Sequence, residues 1–141
     1  LMGFPGETEE DVADTLRLLE EARFAYAYMY YYNPREGTKA VLMDGQVPTE
    51  LKKERLARVI ALQRSISQDI MKSLVGTELE VLAEGVSKKK EGELLCRTDH
   101  DMMVVVPASQ SAIGTFMRVR LESLRGTTFR ALEVRPCPGN S

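Results

Sequence analysis

Hydrophobic residues in the first part of the chain recur at helical spacing. Positions three and four residues apart predict an amphipathic helix over residues 9 to 22. Thr8 precedes this pattern as a candidate N-cap, and Asp11 three residues later makes a variant of the capping box. The apolar positions of this predicted helix are Val12, Leu16 and Leu19.

A longer stripe predicts a second helix, with Thr49 as its N-cap and Gly76 as its C-terminal stop. Its apolar positions are Val59, Leu62, Ile66, Ile70 and Leu74. Cations occupy much of the remaining surface, and a solvated helix face is favoured over a dedicated RNA contact. These cations are Lys52, Lys53, Arg55, Arg58, Arg64 and Lys72.

The period changes to an alternating one in FAYAYMYYY, residues 24 to 32. A strand there would be largely apolar on both faces, which is typical of a strand buried inside a parallel sheet. One strand does not make a sheet, so we expect preceding βα units to be missing from this chain. Without them, the exposed strand is expected to favour self-association. One face carries Phe24, Tyr26, Tyr28, Tyr30 and Tyr32, and the other Ala25, Ala27, Met29 and Tyr31.

The C-terminal part of the chain has the pattern of short strands. Residues 33 to 48 are rich in turn formers and predict a loop, with a short helical turn near residues 40 to 43. From Thr77 onward, five alternating segments separated by turns predict a small, closed or nearly closed antiparallel β-barrel. The fold class is therefore α+β, with a boundary at residue 75 or 76 between domains 1–75 and 76–141. The predicted strands are TELEVLAEG, ELLCRT, MMVVVP, GTFMRVRLE and TTFRALEV.

Composition limits the function without identifying it. The 141 residues are 43% hydrophobic and 28% charged, with a net charge of −2, so a nucleic-acid surface must be a local patch. Two cysteines without a CxxC pair indicate a reducing compartment, and no apolar run of membrane-spanning length is present. The expected location is the cytoplasm, with no membrane partner.

Candidate catalytic groups are sparse. In LMGFPGETEED, acids follow the glycines and no lysine does, so a turn into a helix is favoured over a phosphate site. His100 is the single histidine, and the flanking aspartates of TDHD favour a turn over a metal or catalytic role. Cys96 is expected to be a buried core thiol and Cys137 a thiol in a tail. We therefore predict no catalytic residues and no metal site in this chain.

One face of the predicted barrel has the chemistry of a nucleic-acid surface. In GTFMRVRLE, Met117, Val119 and Leu121 are expected to point inward, which leaves an aromatic ring and two guanidinium groups outside. Residues 76 to 141 hold nine Lys and Arg against nine Asp and Glu, so the cations must be segregated to bind RNA. The candidate RNA-binding residues are Lys88, Lys89, Lys90, Arg97, His100, Phe116, Arg118 and Arg120.

The order and spacing of several segments resemble the C-terminal part of the radical S-adenosylmethionine methylthiotransferases. These segments are GFPGETEED, the aromatic stretch ending in NPREGT, VPTELKKERLARVIALQ, EGVSKKK, CRTDHD and SLRG. The likeness is greatest to the branch that modifies tRNA. That branch is implied to add a methylthio group to N6-isopentenyl-adenosine next to the anticodon.

The resemblance implies a fold and a set of partners. Residues 1–75 are implied to be the last βα elements of the enzyme's partial (β/α) barrel and a linking helix. Residues 76–141 are similar to a TRAM domain, an OB-like barrel that would grip tRNA. S-adenosylmethionine and two 4Fe–4S clusters are implied for the full-length enzyme, whose CxxxCxxC motif this sequence lacks, so this chain is expected to hold neither and to be inactive alone. Gly3, Phe4, Pro5 and Arg35 are implied to line the S-adenosylmethionine site. A ribosomal-protein methylthiotransferase and a non-enzymatic RNA-binding barrel remain as alternatives.

Overall fold

The computed structural model describes residues 1–88 and 91–136, the last four of them through the backbone alone. Within these residues the chain forms two α-helices, two short 3₁₀ helices and five strands. It divides into two compact units, Leu1–Ile70 and Met71–Ser141. The boundary at residue 75 or 76, between a catalytic remnant and an RNA-binding domain, stays a prediction.

The first helix, α1, spans Glu9–Ala22 and begins with the predicted capping box. The Asp11 N–H donates to Thr8 Oγ1 at 3.2 Å, and the Thr8 N–H donates to Asp11 Oδ2 at 2.7 Å. The second of these bonds lowers the pKa of Asp11, because a carboxylate that accepts a backbone hydrogen bond favours its charged form. Sequence and structure therefore agree at the start of this helix.

The second helix, α2, spans Thr49–Leu74 and begins one residue earlier than the pattern indicates. The Lys52 N–H donates to the Pro48 carbonyl at 3.0 Å, so Pro48 occupies the N-cap position and the prediction of Thr49 was wrong. The predicted stripe is confirmed where Val59 and Ile66 are buried. These two residues share the core of the first unit with Met2, Val12 and Leu19.

The aromatic stretch 24–32 does not form the predicted strand. It meets the N-terminus in a single parallel bridge between Met2 and Tyr31. The Met2 N–H donates to the Tyr30 carbonyl at 2.9 Å, and the Tyr32 N–H donates to the Met2 carbonyl at 2.8 Å. Exposed and half-buried residues still alternate along this stretch. A strand, however, needs a partner strand to form a ladder of hydrogen bonds, and within the described residues its partner is the single residue Met2. A 3₁₀ helix, Lys39–Leu42, lies near the predicted helical turn.

Five strands close into the predicted barrel in the second unit. The strands are β1 Glu78–Val86, β2 Glu93–Thr98, β3 Met103–Pro107, β4 Phe116–Arg125 and β5 Thr128–Pro136. Their order around the barrel is β1-β2-β3-β5-β4, and β4 pairs with β1 to close the circle. Closure leaves no strand edge open to another chain.

The sequence predicts an antiparallel barrel, and one of its strand pairs differs from this prediction. Strands β3 and β5 pair in parallel, with Val104 opposite Phe129, while the other pairs are antiparallel. A parallel pair needs a crossover connection. The β4 strand and its hairpin to β5 supply it, with Gly126 at φ +61° in the two-residue turn. The β3–β5 pairing therefore depends on closure, which local patterns do not report.

The buried apolar side chains of the barrel form one cluster. Phe129 is its largest completely buried side chain, and Cys96 is also buried, as predicted for a core thiol. Met71 and Leu74, from the last turn of α2, belong to or pack against the same cluster. In the part of the chain that the structure describes, no helix is long and apolar enough to cross a membrane.

Burial predicts that Cys96 is chemically inert in the folded barrel. Desolvation, with a smaller effect of Glu84, raises the pKa of its thiol to about 11, so the thiolate is scarce at pH 8. In a Cys137→Ser variant, whose single thiol is Cys96, we expect no reaction with a disulfide reagent at pH 8. Full reaction is expected in guanidinium. Rapid stoichiometric labelling of the native chain would contradict the buried placement.

Candidate nucleic-acid interface

Three neighbouring strands place an aromatic ring, an aliphatic side chain and a guanidinium group in one row. Leu82 of β1 lies opposite Phe116 of β4 on one side and opposite Arg97 of β2 on the other. Strands in a sheet lie about 4.8 Å apart. The three side chains are therefore neighbours on the outer face of the barrel, although they are far apart in sequence.

The alternation along β4 is the one that the sequence predicts. Met117, Val119 and Leu121 are buried, whereas Phe116 has 53% of its surface exposed. The side chains of Arg118 and Arg120 are likewise exposed, at 60% and 56%. The predicted orientation is confirmed, and its cause is the two-residue period of a strand whose inner face fills the barrel.

Two of the three arginines of β4, Arg118 and Arg120, lie beside one carboxylate on β1. Arg120 Nη2 donates to Glu78 Oε1 at 2.7 Å, and Arg118 Nε lies 3.8 Å from Glu78 Oε2. Exposed ion pairs of this kind contribute about 0.2 to 1 kcal/mol each. A phosphate can therefore compete with Glu78 for these guanidinium groups at a small cost.

Arg97 is held more firmly, by two acids. Its Nε donates to Glu84 Oε1 at 2.8 Å, and its Nη1 donates to Asp101 Oδ1 at 2.6 Å. These bonds raise the pKa of Arg97, with the Glu84 bond as the largest cause. The guanidinium is thus always charged and its orientation is restrained, in contrast to the looser arginines of β4.

The TDHD segment forms the predicted turn between β2 and β3. Thr98 Oγ1 accepts from the N–H groups of His100 and Met102, which closes the turn. His100 is exposed, and its Nδ1 lies 2.6 Å from Asp99 Oδ1. This hydrogen bond is the largest cause of the lowered pKa of Asp99. The geometry places His100 near the edge of the interface as a side chain that a ligand can reach.

A shallow groove of about 320 Å³ follows the row of Phe116, Leu82 and Arg97. Carboxylates from β1 and the TDHD turn also line it. Lys88 is exposed in the turn after β1, while Lys89 and Lys90 lie outside the described residues. The groove therefore combines an apolar floor with charged walls. Its lining residues are Leu79, Glu80, Leu82, Glu84, Arg97, Thr98, Asp99 and Phe116.

The four residues predicted to line an S-adenosylmethionine site all lie in the first unit. Arg35 lines a cavity of about 430 Å³ together with three consecutive tyrosines, residues 30 to 32. Gly3, Phe4 and Pro5 are not part of that lining. Gly3 and Pro5 are buried, and the ring of Phe4 packs edge-on against Tyr32 at 5.3 Å. The role of these four residues at a cofactor site stays a prediction.

Two cations that the sequence assigns to a solvated face are buried in the first unit. Lys52 is 4% exposed, and its Nζ donates to the Tyr32 carbonyl at 3.2 Å and lies 4.8 Å from the centre of the Tyr32 ring. Arg55 is 5% exposed and pairs with Glu7. The prediction that Lys52 and Arg55 are solvated was therefore wrong. The sequence does contain a signal for their burial, because both residues continue the apolar stripe of Val59 toward the start of the helix at helical spacing.

The packing of Lys52 also explains why the first residue of GFPGET, Gly3, is a glycine. Gly3 has φ +74°, and a Cβ at this position would lie 2.3 Å from Lys52 Cγ. Its N–H donates to Glu7 Oε2 at 2.7 Å. Glycine is thus required by close packing as well as by backbone conformation.

Comparison with known proteins gives matches to both units. Residues 72–131 match the family model of the TRAM domain. The tRNA-2-methylthio-N(6)-dimethylallyladenosine synthase of Treponema denticola is 47% identical over 133 residues, which are 93% of this chain and 30% of that protein. The synthase of the same name from Moorella thermoacetica is 48% identical over 121 residues, 86% of this chain and 27% of that protein.

The chain spans less than a third of the length of these curated relatives and matches their C-terminal region. Among solved structures, a conserved protein of Methanococcus maripaludis aligns with a TM-score of 0.37 and 26% identity, over 43% of this chain and 80% of that one. That TM-score is too low to support a fold assignment. The assignment rests on the closed barrel and on the TRAM match.

Proposed function

We propose that this chain is the C-terminal part of a radical S-adenosylmethionine methylthiotransferase and supplies tRNA binding to that enzyme. The proposal is supported by the TRAM match and by the similarity to the C-terminal region of the tRNA synthases. The full-length protein would methylthiolate N6-isopentenyl-adenosine next to the anticodon. A tRNA substrate would place it in the cytoplasm.

The observation that supports tRNA binding best is the outer face of β4, although Glu78 on β1 lies beside two of its arginines. Phe116, Arg118 and Arg120 alternate with buried residues and so share one side of the barrel. Guanidinium groups bind phosphate, and an exposed ring stacks on any base. A chain of net charge −2 can hold RNA only through such a local arrangement.

We propose that the cofactors of the full-length enzyme are held by parts of the protein outside this chain. Cys96 and Cys137 are 41 residues apart in sequence, far from the spacing of a CxxxCxxC motif. Among the described residues there is no group of three or more His, Cys, Asp or Glu side chains placed to hold a metal ion. The chain by itself is therefore proposed to be without turnover.

Salt-dependent RNA binding tests the proposal directly. We expect the chain to bind an anticodon stem-loop that carries the target adenosine, and to bind it less tightly as salt rises, because phosphate contacts release counterions. Arg118→Ala and Arg120→Ala should each reduce the slope of log K against log salt by about 1. The measurement is fluorescence anisotropy at several salt concentrations, beside an unrelated hairpin of equal length.

Arg125→Ala is the matched control, since it removes the same charge from an exposed position at the far end of β4. An equal loss of affinity for all three variants would indicate only a general effect of net charge. Absence of binding to either RNA at low salt would remove tRNA binding by this chain and favour a protein substrate, as in the ribosomal-protein branch.

Glu78 is expected to weaken RNA binding, because it competes with phosphate for Arg118 and Arg120. Glu78→Gln should therefore raise the affinity for the stem-loop by about two- to fivefold, within the range of about 0.2 to 1 kcal/mol for an exposed ion pair. Glu122→Gln makes the same charge change at another exposed position of β4. If both variants bind equally well, competition at Glu78 is not the cause.

A further inference from the structure

We propose that the groove between Phe116 and Arg97 binds one unstacked base of the RNA and prefers guanine over uracil. This inference rests on the proposed tRNA binding and adds a base-reading site to it. The candidate phosphate contacts lie on β4, whereas the groove runs across β4, β1 and β2. It is therefore a separate part of the same surface.

The shape of the groove suits a flat aromatic ligand. Its volume of about 320 Å³ lies at the lower end of the range for small-molecule sites. Phe116 forms one wall and is 53% exposed, so one face of its ring is available for stacking. Leu82 is half-buried beneath it and provides an apolar floor. Single-stranded RNA is commonly recognised by bases that stack on such rings.

The charged side chains that line the groove are mainly hydrogen-bond acceptors. Glu80, Glu84 and Asp99 line it, against one cation, Arg97. The hydrogen bond from His100 lowers the pKa of Asp99, so this carboxylate is ionised at neutral pH. Arg97 holds Glu84 in a fixed position. Ionised carboxylates accept hydrogen bonds and cannot donate them.

This pattern distinguishes the bases. Guanine presents two adjacent donors, N1–H and the N2 amino group, which match carboxylate acceptors. Uracil presents one N–H between two carbonyl oxygens, and those oxygens repel a carboxylate. The acids also exclude phosphate from the groove, so the backbone must run outside it. Arg118 lies two residues from Phe116 on the same face, about 7 Å along the strand, where a neighbouring phosphate is within reach.

The experiment compares short RNAs that differ at one position. The probes are oligouridylates of equal length whose central nucleotide is guanosine, inosine or uridine, with binding to the whole chain measured by anisotropy at low salt. Inosine lacks the N2 amino group and isolates its contribution. We expect the guanosine probe to bind about tenfold more tightly than the uridine probe, as for one good base contact. Inosine should be intermediate.

Two variants separate stacking from base reading. Phe116→Ala should weaken all probes by about tenfold, since stacking tolerates any base. Glu84→Gln should abolish most of the guanosine preference without weakening the uridine probe, while Asp101 continues to hold Arg97. Glu122→Gln, with the same charge change outside the groove, should keep the preference.

Each outcome decides between the two proposals. Equal binding of all probes, or a guanosine preference that survives Glu84→Gln, would overturn the inference and leave tRNA binding intact. Binding of the anticodon stem-loop without binding of any short probe would do the same. Failure of every RNA to bind would overturn both.

Discussion

Replacing Glu7 with glutamine is expected to destabilise the first unit by about 3 kcal/mol, because it removes the nearest carboxylate from a buried guanidinium and leaves only Glu9 Oε2, 3.7 Å from Arg55 Nε. Arg55 Nη1 donates to Glu7 Oε1 at 2.9 Å, and the two side chains are 6% and 11% exposed. Glu7 also accepts from the Gly3 N–H. This one carboxylate therefore links the GFPGET turn to α2.

Tyrosine fluorescence measures this effect selectively, since all five tyrosines of the chain lie between residues 26 and 32 and there is no tryptophan. The midpoint of urea unfolding should fall sharply for Glu7→Gln. Glu10→Gln, an exposed acid in the first turn of α1, should change stability by less than about 0.5 kcal/mol.

A double variant separates charge burial from a general loss of packing. Adding Arg55→Met to Glu7→Gln removes the buried charge, so most of the lost stability should return. If Glu7→Gln unfolds at the same urea concentration as Glu10→Gln, the buried pair is not a major contribution to the first unit.

Phe129→Ala is expected to destabilise the barrel by about 3 to 5 kcal/mol, the usual cost of removing a large aromatic side chain from a core. Phe129 is fully buried and lies opposite Val104 across the parallel pair that joins β3 to β5. Loss of its ring leaves a cavity beside the β3–β5 pair, which forms only when the barrel closes. The RNA affinity of the folded fraction should be unchanged, since Phe129 does not reach the outer face.

Amide hydrogen exchange measures this second effect, because the barrel contains no tyrosine. Protection of the five strands should fall together in Phe129→Ala. Leu132→Ala, on the same strand at a position 49% exposed, is the matched control and should cost less than about 1 kcal/mol. Equal protection in the two variants would contradict the central role of Phe129.

Much of the local structure could be predicted from the sequence. The capping box at Thr8 and Asp11, the helical stripe of Val59 and Ile66, and the inward side of β4 are all found where the patterns indicate. These features depend on residues within a turn or two of one another. The period of one element, and the chemistry of its ends, is enough to specify them.

The candidate interface was predictable in part. The residues of β4 share a face for a local reason, the strand period, and were recognised as a set. The groove was not predictable, because Phe116, Leu82 and Arg97 meet only through the pairing of three strands. The acids that restrain the arginines were equally hidden, since Glu78 and Arg120 are 42 residues apart in sequence.

The sequence by itself determined the helices, the five strands, the inward and outward sides of β4, and the likeness to the methylthiotransferases. Only the tertiary structure decided that Lys52 and Arg55 are buried, that residues 24–32 make a single bridge, and that β3 pairs with β5 in parallel. The physical reason is the range of the interactions. Periodicity records which side of an element is buried, whereas a buried charge or a strand pairing is stabilised by a partner that folding brings from a distant part of the chain.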